Sequence, residues 1–252
     1  VSMFNDNKIT SYVQKSNHLI FGIEYDLLRN LSFNLEVYYK TMSNMANANK
    51  DKLFADDKEH ELKPEYLRKE YIIENGNAYG GDVSLKYDNG RLYVWAIYSL
   101  GKVTKENEIF TYAPHYDRRH NVNILCNYQF GMDRSFELSL RWNYGSGFPF
   151  TPTASMMEYV DWSDGMSTDW INQNGTLTTI YGDLNSKRLP DYHRFDISAK
   201  KRFDIGKRSI LEINLSVTNV YNRNNLFYVN RITSERVDQL PIMPSLGVSC
   251  TF

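Results

Sequence analysis

The densest set of candidate metal ligands lies in the stretch HYDRRH, which holds His115, Asp117 and His120. Zinc needs ligands whose spacing lets them converge on a tetrahedron, and this spacing matches none of the standard patterns. The stretch is expected to be a polar network at a strand start, with Asp117 paired to Arg118 or Arg119. The run DDKEHE offers Asp56, Asp57, Glu59 and Glu61 to calcium. It lacks the ligand order and central glycine of an EF-hand loop, so it reads as a solvated loop. Neither metal nor cofactor is expected. For hydrolysis the candidates are His193 with Asp191 and Asp196, an acid–base set in search of a nucleophile. Strand phase puts His193 and Asp196 on opposite faces, and no serine-centred motif is near. No enzymatic activity is expected.

Stacking chemistry is better represented. The segment GFPFTPTASMMEYVDWSDGMSTDWINQNGTLTTIYGDL carries Phe148, Phe150, Tyr159, Trp162, Trp170 and Tyr181. Aromatic faces of this kind stack on sugars, chelates or peptides, and they pack equally well on one another. Tyr159, Trp162 and Trp170 are the candidate substrate contacts. No ligand class follows from them.

The elements that must hold these segments alternate with period two, the signature of strands rather than helices. Leu19, Phe21, Ile23, Tyr25 and Leu27 take every second place, and Phe33, Leu35, Val37 and Tyr39 follow a tight turn. Similar runs lie near 79–87, 92–100, 122–130, 136–144, 195–203, 211–217 and 246–252, making about nine strands. Their connections sort by length. Those near 28–30, 88–90, 131–135 and 204–207 are short, with Asn, Asp and Gly where tight turns want them. Those near 42–76, 102–117, 146–190 and 221–243 are long and polar. An up-and-down outer-membrane barrel is wired this way, with short turns at one end and long loops at the other.

The two faces differ. The apolar phase carries one charge, Lys201, whereas the opposite phase holds Glu24, Asp26, Glu36, Lys40, Asp82, Lys86, Glu137, Arg141, Arg194, Asp196, Lys200, Arg202 and Glu212. Runs of about 9–13 residues suit a tilted membrane strand of about 9–11 better than the usual soluble strand of about 5–6. Tyr25, Phe33, Tyr87, Phe130, Phe136, Phe203 and Phe252 gather at the short-turn end, and Tyr39, Tyr98, Trp142 and Tyr144 towards the other. Two aromatic belts are expected of a membrane barrel. The apolar phase is therefore expected to face lipid, and the charged phase a wet lumen.

Bulk properties agree. A net charge of -1 with scattered basic residues excludes a phosphate-tracking surface, so no nucleic-acid partner is expected. Mean hydropathy of -0.53 with no long apolar run excludes a membrane helix but not a barrel. Cys126 and Cys250 are too few for a disulfide framework. The opening VSMFNDNKIT has neither the basic start nor the apolar core of a secretory signal.

The phrases YAPHYDRRHNVNI, NYGSGFPFTPT, RLPDYHRFDISAKKRF, NLSVTNVYNRNNLFYV and QLPIMPSLGVSCTF occur in an order that resembles the C-terminal barrel of TonB-dependent outer-membrane receptors. The nearest flavour is the Bacteroidetes type with a carboxypeptidase-like domain ahead of the plug, rather than the SusC-type glycan importers. The resemblance implies an all-β, antiparallel transmembrane β-barrel segment supplying about nine of about 22 strands. Residues 1–252 would form the C-terminal part of that barrel, and the plug domain is absent from this chain. The implied function is active uptake of a scarce nutrient such as a siderophore, haem, vitamin, peptide or saccharide. The implied partners are the remaining barrel and plug, TonB acting through that plug, the barrel assembly machinery, outer-membrane lipid and, optionally, a surface lipoprotein. The implied location is the outer membrane. An open nine-stranded sheet in lipid would leave two unpaired edges, so the barrel is expected to be completed elsewhere. Phe252, in phase with the alternation of MPSLGVSCTF, resembles the terminal aromatic of the assembly signal read by the insertion machinery.

Overall fold

Alternating β-branched and aromatic side chains favour an extended backbone, because they pack well on a pleated surface. A computed structural model shows nine long strands where that alternation runs. The structure describes residues 2–5, 8–11, 13–49, 55–58, 61–62, 68–107, 110–159, 176–205, 209–230, 233 and 235–252. The strands are β1 (Lys15–Leu28), β2 (Leu31–Ala48), β3 (Tyr71–Asp88), β4 (Leu92–Glu106), β5 (His120–Phe130), β6 (Phe136–Gly145), β7 (Tyr192–Ile205), β8 (Ser209–Thr218) and β9 (Met243–Thr251). Each pairs antiparallel with its neighbours in sequence, so the sheet is a plain meander. A two-residue rung, Thr111–Tyr112, adds to the far end of β4. Shorter ladders join Pro149–Phe150 to Lys187–Arg188, Thr153–Tyr159 to Thr176–Tyr181, and Leu226–Val229 to Arg236–Asp238.

Register carries the sequence alternation across the whole sheet. Leu31, Tyr87, Val94, Cys126, Leu140, Ile197, Val217 and Pro244 form one unbroken cross-strand row. On the other face, Glu36, Asp82, Ser99, Asn121, Gly145 and Tyr192 form another. A slip of one residue in any strand would swap these faces, so the apolar pattern specifies the register. Lys201, the lone charge of the apolar phase, lies near the short-turn end. Its Nζ bonds Ser135 Oγ in the β5–β6 turn and sits 5.7 Å from the Phe203 ring centre. The charge thus reaches the turn while its stem covers apolar surface.

No second layer among the described residues covers the apolar face. Among the described residues, Ala78 is the only Ala, Val, Ile, Leu, Met, Phe, Trp, Tyr or Cys that is buried. Central-strand residues such as Leu100 and Ile124 stay exposed. A sheet in water must bury its hydrophobic face against another element. This one has a continuous hydrophobic face that none of the described residues covers.

One expectation needs correcting. β2 runs to Ala48 and β3 starts at Tyr71, well inside the segment expected to be a loop. Apolar alternation stops near Met42, but backbone pairing does not depend on it. The ladder continues through a bulge between Met42 and Met45. There Asn44 adopts a φ of 57°, which asparagine tolerates better than most residues, and its N–H donates to Asn75 Oδ1 at 3.2 Å. Trp95 also departs from the pattern. It lies on the polar face, where its indole N–H donates to Ser84 Oγ at 2.9 Å.

Candidate functional site

The buried polar side chains of the described residues lie at the long-loop end of the sheet. Glu74, Asp117, Asn219, Asn225 and Ser146 are all buried there. They belong to a collar that draws four of the characteristic phrases together.

Asp117 is its hub. Its Oδ1 accepts the Val103 N–H at 2.8 Å, a donor that β4 leaves unpaired because β5 begins only at His120. Its Oδ2 pairs with Arg119 at 2.9 Å and with Arg188. Arg188 also donates to the Asp117 carbonyl at 2.9 Å and the Gly147 carbonyl at 3.0 Å. One guanidinium thus ties the HYDRRH loop to both ends of the 146–190 connection. Burial alone would raise the Asp117 pKa, but the Val103 N–H and the two arginines outweigh it and hold the carboxyl below its usual range.

Asp191 closes the next link. It accepts the Tyr144 hydroxyl at 2.8 Å and the Gly147 N–H at 3.0 Å, and these bonds lower its pKa. Gly147 is required for close approach, since a Cβ there would lie 1.6 Å from the Leu189 carbonyl oxygen. Asn185 donates to the Ala113 carbonyl at 2.8 Å. In the β8–β9 connection Asn219, with a φ of 56°, is fully buried. Its N–H donates to Asp196, and its amide bonds the Arg223 backbone on both sides and the Leu240 carbonyl. Asn225 exchanges two bonds with the His193 backbone.

A second knot lies beside the first. Glu74 accepts from Tyr112 at 2.6 Å, from Lys105 at 3.1 Å and from Asn47 at 3.1 Å. Burial and the bond to Glu74 push the Tyr112 hydroxyl above its usual pKa. Glu74, Gly76 and Ala78 alternate along the polar side of β3 and are all buried. Tyr38 lies against Gly80 and Gly101 on that face.

The predicted site residues are mostly kept apart. Asp117 pairs with Arg119 as expected, and also with Arg188, but not with Arg118. His115 is exposed and meets only Tyr116 edge-on, while His120 bonds the Tyr98 hydroxyl at 2.9 Å on the opposite, apolar-phase face. Asp56 is held by Arg68 and Lys69, Glu61 is exposed, and Glu59 lies outside the described residues. Among the described residues no group of His, Cys, Asp and Glu is placed to hold a metal ion. His193 bonds the Tyr221 hydroxyl at 2.7 Å, while Asp196 pairs with Arg194 across the wall. Trp162 and Trp170 lie outside the described residues, and the backbone of Tyr159 ends a ladder opposite Thr176. Phe252 lies one residue beyond β9 and is almost fully exposed.

Glu74, Arg188 and Asn219 were not singled out from the sequence. The alternation of Glu74 with Gly76, Ala78 and Gly80 was a usable signal, since small residues on one phase mark a place where something packs close. The asparagines of TNVYNRNN were another.

No family model matches the chain, and no curated protein matches it. Solved structures do. The closed form of the ferric-catecholate import receptor Fiu from E. coli K12 aligns with a TM-score of 0.58 at 14% identity, over 98% of this chain and 28% of that one. The ferripyoverdine receptor of the Pseudomonas aeruginosa outer membrane, bound to ferripyoverdine, gives 0.60 at 13% identity, over 94% of this chain and 27% of that one. A second structure of that receptor, FpvA with heterologous pyoverdines, gives 0.60 at 12% identity. The chain therefore spans about a quarter of the length of these receptors. In fold, the chain is nine consecutive antiparallel strands that match part of the β-barrel wall of these receptors.

Proposed function

We propose that this chain is wall and mouth of a TonB-dependent outer-membrane transporter that imports a scarce nutrient. The observation that carries this reading is the single-layered meander whose apolar face is continuous and uncovered. Lipid is the medium that such a face suits, and a plugged lumen suits the charged face. The collar has a clear part in this reading. It fixes where the long connections leave the wall. Tyr159, Trp162 and Trp170 are the proposed ligand contacts, with siderophore, haem, vitamin, peptide and saccharide as candidate cargo classes. Phe252 is the proposed assembly signal. The Bacteroidetes-type subclass, the plug, TonB and an optional surface lipoprotein belong to the same proposal and rest on the sequence phrases.

The test is uptake by cells making the full-length protein, with and without TonB, across labelled compounds of these classes. Uptake of at least one compound should require both the protein and TonB. A steady ion conductance in planar bilayers, with uptake indifferent to TonB, would instead make the protein a passive porin.

A further inference from the structure

Arg118 differs from the two arginines beside it in the collar. Arg119 and Arg188 share the Asp117 carboxylate, whereas the Arg118 side chain has no hydrogen-bond or ion-pair partner among the described residues, and its Nε is buried. Its guanidinium lies flat against Gly145, where an added Cβ would come within 2.5 Å of Cζ and Nη1. It also sits over the Phe148 ring, 4.2 Å from the ring centre. Gly145 is on the polar phase of β6, in the row of Asn121 and Tyr192, so this guanidinium lies over the lumen face. Burial lowers its pKa, and Tyr192 offsets this only in part.

The nearby carboxylates are already engaged. Asp117 accepts three donors, Glu74 three and Asp191 two. Asp117 pairs with two guanidiniums, and Arg118 is left out of that pairing. A guanidinium held only for packing would serve better as an apolar side chain, because its buried, unpaired Nε–H carries a desolvation cost. Held in place by a ring and a glycine, it is instead preorganised for planar, bidentate recognition of an oxyanion.

We propose that Arg118 is an anion-binding residue on the lumen wall, and that the solute passing this mouth presents a carboxylate or phosphate to it. This rests on the import reading for its location, and it adds the charge class of the cargo.

The test uses the full-length protein purified in detergent, with phenylglyoxal as a guanidinium-selective reagent and mass spectrometry as the readout. Without added anion, Arg118 should be modified at least about tenfold faster than Arg119 or Arg188, whose N–H groups are committed. Citrate or inorganic phosphate should protect it, while sodium chloride at matched ionic strength should not. In Gly145→Ala the added methyl displaces the guanidinium without removing its charge. The citrate concentration for half protection should then rise about tenfold. Fast modification with no protection by either anion would overturn the proposal and leave a packing cation. Slow modification in the anion-free protein would also overturn it, because a carboxylate elsewhere in the same protein would then occupy the site. An unchanged half-protection point in Gly145→Ala would remove the cradle and with it the site. None of these failures touches TonB-dependent uptake, which is measured separately.

Discussion

Asp117 concentrates the energetics of the collar in one carboxylate. Its side chain is fully buried, but the guanidiniums it serves are each about a third exposed. Removing one partner of a buried ion pair costs about 3–5 kcal/mol, and water around the arginines reduces that. Asp117→Asn should therefore destabilise the full-length protein by about 2–3 kcal/mol, read from its unfolding midpoint in detergent. The pH dependence has a definite sign. Asp117 has a depressed pKa in the folded state, so its contribution is complete above the ordinary carboxylate value of about 3.9. It is lost as pH falls through the depressed value. The gap between wild type and Asp117→Asn should therefore be full at neutral pH and close in acid. A gap that did not change with pH would mean that the loop is held by packing and not by this charge.

At the level of the strand, the face assignment has an energetic consequence. Leu138 and Ser139 are neighbours on β6 and point to opposite sides of the sheet. Leu138→Arg should cost about 2–4 kcal/mol if its side chain meets the bilayer near its midplane, whereas Ser139→Arg should be tolerated in a wet lumen. A folding titration in lipid that ranked the two equally would contradict the assignment. These strands were legible because apolar and polar side chains alternate strictly along them, and the pairing of Leu138 with Tyr128 and Ala199 preserves it. Their far ends were not legible. Beyond Met42 neither face needs apolar side chains, so pairing continues with nothing in the residue types to announce it. The collar was half legible. Asp117 and Arg119 stand two residues apart in sequence, but Arg188 is 71 residues away and meets Asp117 only because β4 to β7 bring the two loop bases together. The separation of His193 from Asp196 was readable from strand phase alone.

The nine long strands form a single layer. Neither β1 nor β9 has a partner on its outer edge among the described residues. In a bilayer each unpaired backbone group costs several kcal/mol, so this segment expressed alone should aggregate or be degraded rather than form a closed, heat-resistant barrel. Recovery of a soluble monomer rich in strand, by circular dichroism, would point instead to an ordinary water-soluble sheet. The central claim is that one face of this sheet meets lipid and the other meets water. Its most direct measurement is a cysteine scan along β5, from Asn121 to Tyr128, in the full-length protein with Cys126 and Cys250 first replaced by serine. Each position would be tested in lipid with a membrane-impermeant thiol reagent and with a lipid-borne quencher acting on an attached fluorophore. Positions 122, 124, 126 and 128 should be quenched from the lipid and resist the reagent. Positions 121, 123, 125 and 127 should show the reverse. Loss of this two-residue period, with both phases reacting alike, would contradict the account.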